Sequence, residues 1–190
     1  MKIKIIIIPG YHGAGEDILS GKHQIWFAWL KKELEKLEIE VIAKDYPDAY
    51  LCRAENWLPF IKKLGGDENS ILIGHSTGAI AAMRFAEENR ILGSVLVGSY
   101  YTDLGDPEEN ESGYFDNPWQ WEKIKNNQKW VIQFHSTDDP WISNEEAHMV
   151  NKMLDTELHE YHDRGHFGGD KKYLEFPELL DALKRKLNVN

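Results

Sequence analysis

The sequence predicts an α/β fold in which a mostly parallel β-sheet carries α-helices on both faces. Short apolar runs rich in β-branched residues alternate with amphipathic stretches along the chain, which is typical of β-α-β units. The apolar runs are continuous, as expected for strands buried on both faces. With 190 residues, of which 42% are hydrophobic and 28% charged, the chain is expected to form a single domain over residues 1–190.

The first half of the chain contains three predicted strands and three predicted helices. Residues 3–8 read IKIIII and predict the first strand. The next amphipathic stretch places Phe27, Leu30 and Leu34 on one helical face, and a later helix is expected to stop at Gly65-Gly66. In order, the expected elements are a strand at 3–8, a helix at 24–37, a strand at 41–43, a helix at 53–66, a strand at 70–73 and a helix at 79–88.

The second half continues the same alternation. Strands are expected at 91–99, 129–135 and 157–162, and helices near 144–154 and 173–187. Right-handed crossovers limit such a series to a few doubly wound topologies. One long irregular segment, residues 99–118, interrupts the pattern and is rich in aromatic side chains. Long loops in compact domains are usually functional or disordered, and this aromatic content argues against disorder.

Composition excludes several classes of function. The net charge of −10, from 22 basic and 32 acidic residues, opposes binding to nucleic acid or to an anionic membrane, and no basic stripe offsets it. The apolar run at 5–8 is too short for a signal-peptide core. The single cysteine, Cys52, cannot form an internal disulfide and is typical of a reducing cytoplasm. A reactive role for Cys52 lacks a matching set of partners.

The segment Gly74-His75-Ser76-Thr77-Gly78 predicts a nucleophilic serine. It lies between an apolar strand and a helix rich in small residues, which is the order that a nucleophile elbow requires. Glycines two residues either side of Ser76 remove Cβ atoms that would collide in a sharp turn. The alternative is a serine that only caps the helix.

A serine hydroxyl needs a base to take its proton, and in this architecture an acid and then a histidine follow on loops after later strands. The stretch HSTDDPWIS follows the fifth predicted strand, and DRGHFGG follows the sixth. They supply Asp139 and His166. Asp138 is the alternative acid, but Pro140 restricts the backbone before it and favours Asp139.

Other histidines are weaker candidates for the base. His162 stands at the end of the sixth strand and is the second choice, and His75 is expected to point away from Ser76 into packing. A zinc site formed by His159, His162 and His166 is disfavoured, because His159 and His162 lie on opposite faces of a strand. The sequence therefore predicts no metal.

The transition state of such a reaction needs hydrogen-bond donors for its oxyanion. The backbone N–H of Thr77, at the start of its helix, is one expected donor, and Tyr11 in the loop after the first strand is the other, with His12 next. Glycines at 10, 13 and 15 could hold a phosphate instead. This loop lacks the lysine of a P-loop and a full dinucleotide fingerprint, so no cofactor is expected.

Longer motifs resemble the retinoblastoma-binding protein nine family of small serine hydrolases, a compact branch of the α/β-hydrolase fold. They are WLKKELEKL, WLPF, IGHSTGAIAAMR, LVGSYYTDLGD, SGYF, PWQWEKIK, QFHSTDDPW and GHF. The resemblance implies a catalytic triad of Ser76, Asp139 and His166. It also implies a three-layer fold with a compact six-stranded, mostly parallel sheet, helices on both faces and no large lid domain.

The chain departs from this family at two places. His135 replaces the glycine before STDD, and the position of the family's L-x-C-x-E motif reads Leu64-Gly65-Gly66-Asp67-Glu68 without a cysteine. A pocket-protein partner is therefore not expected. The resemblance supplies no natural substrate.

The sequence thus predicts a cytoplasmic serine hydrolase that cleaves small carboxylic esters or amides through an acyl-enzyme. Tyr114, Phe115 and Trp119 are expected to line an apolar substrate pocket, and packing over the sheet edge is the alternative for each. Two other functions remain open. One is an interaction protein that keeps the triad with little turnover, and the other is an acyltransferase.

Overall fold

The computed structural model of the protein describes residues 2–11, 18–19, 25–169 and 172–189. Six strands form one sheet: β1 (Lys4–Ile8), β2 (Glu40–Ala43), β3 (Ser70–His75), β4 (Gly93–Val97), β5 (Val131–Ser136) and β6 (Glu157–Tyr161). Their order across the sheet is β2-β1-β3-β4-β5-β6, and all five pairings are parallel. The predicted six-stranded parallel sheet is confirmed.

Seven helices occur in the described part of the chain. They are α1 (Phe27–Glu35), α2 (Ala54–Lys63), α3 (Thr77–Glu88), α4 (Pro107–Glu111), α5 (Trp121–Asn126), α6 (Asn144–Leu154) and α7 (Pro177–Leu187). Each face of the sheet carries its own helices and its own buried hydrophobic cluster. One contains side chains of α1 and α7, and the other contains side chains of α2, α3, α5 and α6. Helices therefore cover both faces, as predicted.

Alternation along each strand sends side chains to both clusters. In β1, Ile5 and Ile7 belong to the cluster with α1 and α7, and Ile6 and Ile8 belong to the other. All four isoleucines are fully buried. A continuous apolar run is thus the expected composition of a central strand with a helix layer on each side.

Some boundaries differ from the predicted ones. Helix α7 begins at Pro177 rather than Tyr173, because proline suits the first turn of a helix and Phe176 before it has non-helical backbone angles of φ −138° and ψ 70°. Helix α3 begins at Thr77, directly after Ser76. Helices α4 and α5 were not predicted. They have five and six residues, which is too short for a helical hydrophobic period to be visible.

Parallel pairing brings the carboxyl ends of the strands to one edge of the sheet. Ile8 pairs with Gly74, and Val97 pairs with both His75 and Phe134. The loops after β1, β3, β5 and β6 therefore emerge on the same side, which is where ligands bind in open α/β sheets. No helix in the described part of the chain combines the length and apolar character that crossing a membrane requires.

Candidate active site

Ser76 occupies the sharp turn between β3 and α3. Its backbone has φ 54° and ψ −127°, which an L-residue rarely adopts and which costs about 1–3 kcal/mol. The turn is held in place because the Ser76 N–H donates to the Val97 carbonyl oxygen at 2.8 Å. The following helix is almost wholly buried and therefore offers a rigid support. Ser76 itself lines a cavity of about 580 Å³ at the carboxyl edge of the sheet.

The two glycines of the motif permit close backbone contacts on either side of Ser76. A Cβ at Gly74 would lie 2.3 Å from the Gly78 carbonyl oxygen, and a Cβ at Gly78 would lie 2.2 Å from the Ile8 carbonyl oxygen. Both distances are far below van der Waals contact, and backbone cannot move away as a flexible side chain can. The glycines therefore let α3 pack directly against β1 and β3, as the pattern predicted.

His166 lines the same cavity and contacts Asp139. The Nδ1 atom of His166 donates to Oδ2 of Asp139 at 2.7 Å, and both side chains are buried. With the proton on Nδ1, Nε2 is the unprotonated nitrogen of the neutral imidazole. This is the tautomer that a general base needs. The structure therefore brings Ser76 and His166 to one cavity from two separate loops, and Asp139, from a third loop, bonds to His166.

Asp139 is held as an anion despite its burial. Burial alone raises its pKa, but the hydrogen bond and charge of His166 lower it, and the backbone N–H groups of Trp141 and Ile142 add to that effect. These two N–H groups donate to Oδ1 at 2.9 and 3.0 Å. The net result is a pKa below the usual value for aspartate. Both carboxylate oxygens are thus engaged, which leaves the carboxylate one orientation.

His75 supports the backbone of His166. Its Nε2 donates to the His166 carbonyl oxygen at 2.7 Å, and the two rings are 4.8 Å apart. Burial, and then the proximity of His166, lower the pKa of His75 to about 3. His75 is therefore neutral at ordinary pH and acts as a hydrogen-bond donor. The sequence predicted only that His75 packs away from Ser76, and it did not predict the hydrogen bond to the His166 carbonyl oxygen.

Asp138 has a different function from Asp139. Its Oδ1 accepts from the Gly165 N–H at 2.8 Å and from the Ser136 hydroxyl at 2.6 Å. It thereby ties the loop after β5 to the loop that carries His166. The other proposed base, His162, lies elsewhere, where its Nδ1 contacts the Thr137 hydroxyl at 2.8 Å.

The cavity beside Ser76 has a mixed aromatic and polar wall. The side chains that give the wall this character include Tyr11, Thr77, Tyr100, Leu104, Glu109 and Trp141. The Trp141 ring packs edge-on against His166 at 4.8 Å and is 54% exposed. Tyr100 is buried, and its hydroxyl lies 3.1 Å from the Thr77 Oγ1.

The three aromatic residues that were expected in the substrate pocket lie outside it. Tyr114 is buried in the core cluster around α3, and Phe115 and Trp119 pack against the same cluster. The cause is Arg84 of α3, which draws this segment towards the helix. Its Nε donates to the Tyr114 carbonyl oxygen at 2.7 Å, and its guanidinium lies 3.7 Å from the Trp119 ring. Tyr100, Leu104 and Trp141 occupy the wall instead.

The two expected oxyanion donors border the cavity. Thr77 is the first residue of α3, where backbone N–H groups have no partner within the helix. Tyr11 follows Gly10, where an added Cβ would lie 2.9 Å from the Cβ of Ser76. The alternative donor, His12, and the glycines at 13 and 15 lie outside the described residues.

His135, the departure next to STDD, lies inside β5 and is fully buried. Its Nε2 contacts Oδ1 of Asn144, the first residue of α6, at 2.7 Å. It therefore contacts the helix rather than the loop of Asp139. His159 stacks on Phe134 at 4.8 Å. Among the described residues, no three His, Cys, Asp or Glu side chains converge as metal ligands would.

Some residues of the cavity were not predicted. Trp141 directly follows the STDDP stretch that contains Asp139. Its place in the sequence therefore indicated that it lies near the site. Glu109 carries no such signal, because the direction of a side chain on a five-residue helix depends on how that helix packs.

Known proteins resemble this chain in sequence and in fold. The family model described as serine hydrolase matches residues 5–185. The chain is 45% identical to serine hydrolase RBBP9 of Rattus norvegicus over 186 residues, which cover 97% of this chain and 95% of that protein. The crystal structure of the ydeN gene product from B. subtilis has a TM-score of 0.85 at 24% identity and covers 98% of this chain and all of the other.

More distant hydrolases share the architecture. The crystal structure of the esterase RhEst1 from Rhodococcus sp. ECU1013 has a TM-score of 0.62 at 14% identity, covering 98% of this chain and 90% of that one. At such identities the likeness concerns the fold alone. The predicted α/β-hydrolase fold is thereby confirmed.

Proposed function

Because the chain belongs to the serine hydrolase family, and is therefore a hydrolase, we propose that it cleaves small carboxylic esters or amides through an acyl-enzyme on Ser76. The observation that carries the proposal is the hydrogen bond of 2.7 Å between Asp139 Oδ2 and Nδ1 of His166, which lines the same cavity as Ser76. This bond engages Nδ1 of His166, which supports Nε2 as the nitrogen that accepts the Ser76 proton.

In the first half of the reaction, the Ser76 oxygen attacks the carbonyl carbon and its proton passes to Nε2 of His166. The resulting imidazolium is stabilised by the carboxylate of Asp139. The C–O or C–N bond to the leaving group then breaks, and the leaving group takes the proton from His166. The acyl group remains as an ester of Ser76.

In the second half, water attacks the acyl-enzyme while His166 again accepts a proton. Collapse of the second tetrahedral intermediate returns that proton to Ser76 and releases the carboxylic acid. In both intermediates the backbone N–H groups of Thr77 and Tyr11 hold the oxyanion. Loss of one such donor typically costs 10²–10³-fold in rate.

Labelling by a fluorophosphonate tests the nucleophile. We expect the wild-type protein to be labelled and to hydrolyse nitrophenyl esters, and the Ser76→Ala variant to do neither. Ser94→Ala is the matched control, because Ser94 is a buried serine in β4 whose hydroxyl bonds to Gln128. Labelling that persists in Ser76→Ala, or disappears equally in Ser94→Ala, would remove Ser76 from the mechanism.

Product analysis distinguishes hydrolysis from acyl transfer. Esters are offered with and without added alcohol or amine, and a hydrolase releases mainly the free acid in both conditions. Dominant transfer to the added nucleophile would instead assign the protein to the acyltransferases. A panel of esters and amides of increasing acyl length then ranks the substrates.

A further inference from the structure

The proposed reaction makes no use of one carboxylate in the wall of the cavity. Oε1 of Glu109 accepts from the Thr77 hydroxyl at 3.1 Å, and Thr77 is the residue next to the nucleophile. Oε2 is buried and has no hydrogen-bond partner of ordinary geometry within the described part of the chain, although the Tyr100 hydroxyl is near enough to lower the pKa of the carboxylate. A buried polar atom without a partner costs about 1–3 kcal/mol. A hydrogen-bond donor on a ligand would remove that cost.

The charges around Glu109 are of one sign. Burial raises the pKa of Glu109 most, hydrogen bonds from Tyr100 and Thr77 oppose that rise, and the nearby Asp106 and Asp103 add to it. No Lys or Arg is among the described residues that line this cavity, and residues 91–122 contain neither. The negative potential is therefore not neutralised locally by the protein.

A smaller cavity shares Glu109 with the first. This second cavity of about 180 Å³ is also bordered by Tyr11, Thr77, Asp106 and Glu109, and it adds Glu108 to the acidic wall. Glu109 thus borders both the space beside Ser76 and a second cavity with an acidic wall.

Exposed apolar side chains surround the same two cavities. Tyr11, Leu104 and Trp141 border the first, and Tyr50 borders the second. They are four of the five large hydrophobic side chains that remain exposed in the described chain. Such a surface suits an apolar stem, and aromatic faces also attract cations.

We propose that Glu109 is a specificity-determining residue that selects substrates in which an apolar stem joins the scissile ester or amide to a cationic group, an ammonium in the simplest case. The inference rests on the proposed function. The ammonium pairs with the Glu109 carboxylate in the cavity wall and neutralises the acidic wall, and the stem lies against the exposed aromatic side chains.

The position of Glu109 next to Thr77 also disfavours neutral substrates. An ionised carboxylate there opposes the negative charge that develops near the Thr77 N–H in the transition state. A substrate cation cancels that repulsion. The Glu109 carboxylate therefore favours cationic substrates and disfavours neutral ones.

Matched pairs of esters test this selectivity. Nitrophenyl esters whose acyl chains end in an ammonium are compared, over several chain lengths, with esters in which a methyl group replaces it. A 3-aminopropyl ester and its neutral butyl counterpart place the charge on the alcohol side. We expect the ratio of kcat/KM, cationic over neutral, to reach about tenfold or more at the best length, since a hydrogen bond to a charged group is worth at least one factor of ten.

The variant Glu109→Gln keeps the shape and removes the charge. We expect its ratio of kcat/KM, cationic over neutral, to fall to near one, even if the individual kcat/KM values also change. Circular dichroism checks that the variant is folded. Glu111→Gln is the matched control, because it removes an exposed carboxylate from the same helix and borders neither cavity. We expect it to keep the wild-type ratio.

The outcomes separate this inference from the proposed function. A wild-type ratio near one for every pair, or an unchanged ratio in Glu109→Gln, overturns the selectivity while hydrolysis stands. If no ester is cleaved, the proposed function fails. Selectivity is then measured from the rates at which cationic and neutral fluorophosphonates label Ser76. Equal labelling rates overturn the proposed selectivity. Faster labelling by the cationic probe that is lost in Glu109→Gln supports it.

Discussion

Asp138 and Asp139 are chemically identical neighbours with different roles. Asp139 contacts the His166 ring, and Asp138 holds the Gly165 N–H in the backbone that precedes that ring. The two side chains leave the backbone in different directions, and this is sufficient to give them different partners. At this scale, function depends on which carboxylate faces the imidazole.

The change Asp139→Asn tests that division. An amide can no longer accept the His166 proton in the same orientation, so the wrong tautomer is favoured and kcat is expected to fall on the order of 10³–10⁴-fold. In Asp138→Asn the acceptor Oδ1 is kept, and we expect a loss below about tenfold. Steady-state kinetics on a nitrophenyl ester measures both, and equal losses would contradict the assignment.

At the scale of elements, Arg84 of α3 organises the segment between β4 and α5. Its Nη2 donates to the Asn117 carbonyl oxygen at 2.7 Å, and its Nη1 donates to Glu87 at 2.8 Å. Arg84 and Glu87 are both buried. One guanidinium thereby turns an irregular stretch of chain into a packed layer over the sheet and draws Tyr114 inward.

Replacing Arg84 by methionine should destabilise the protein. The change leaves the Glu87 carboxylate buried without its cation, and we expect the free energy of unfolding to fall by about 3 kcal/mol. Urea unfolding followed by fluorescence measures this. The control is Arg90→Met, which alters an exposed arginine just beyond the same helix and is expected to stay within about 0.5 kcal/mol. A similar loss in both variants would argue against the role of Arg84.

At the scale of the whole molecule, the parallel sheet decides where the site lies. Loops that are distant in sequence leave the sheet at one edge, and the site is assembled there from β3, β5 and β6. Assembly also buries ionisable groups. His75 and Asp139 both have lowered pKa values in the folded protein.

Acid should therefore destabilise the fold in two ranges of pH. His75 has a pKa of about 3 when folded, below the value of about 6.5 for an unfolded histidine, so the unfolded state binds the extra proton between these values and stability falls as pH decreases through them. The lowered pKa of Asp139 contributes stability above its unfolded pKa of about 3.9, which is lost below that.

The change His75→Gln isolates the first range. Glutamine can still donate to the His166 carbonyl oxygen but does not titrate. We expect its free energy of unfolding, measured in urea at a series of pH values, to decline less steeply between about pH 6.5 and 4 than that of the wild type. An unchanged slope would mean that His75 is not the group responsible.

The sequence by itself determined the sheet, most helices and the position of the nucleophile turn. These features depend on short-range patterns, since apolar alternation, glycine spacing and strand-loop order are visible within about ten residues. It also indicated Asp139 and His166, because the loops after successive parallel strands share one edge.

Only the tertiary structure decided which other side chains face the cavity. Tyr114 and Glu109 lie five positions apart in one aromatic and acidic segment, yet Tyr114 packs into the core and Glu109 borders the space beside Ser76. The difference arises from contacts with α3, where Arg84 holds the Tyr114 backbone and Thr77 bonds to Glu109. Side-chain direction in an irregular segment depends on such long-range partners, and local sequence carries no record of them.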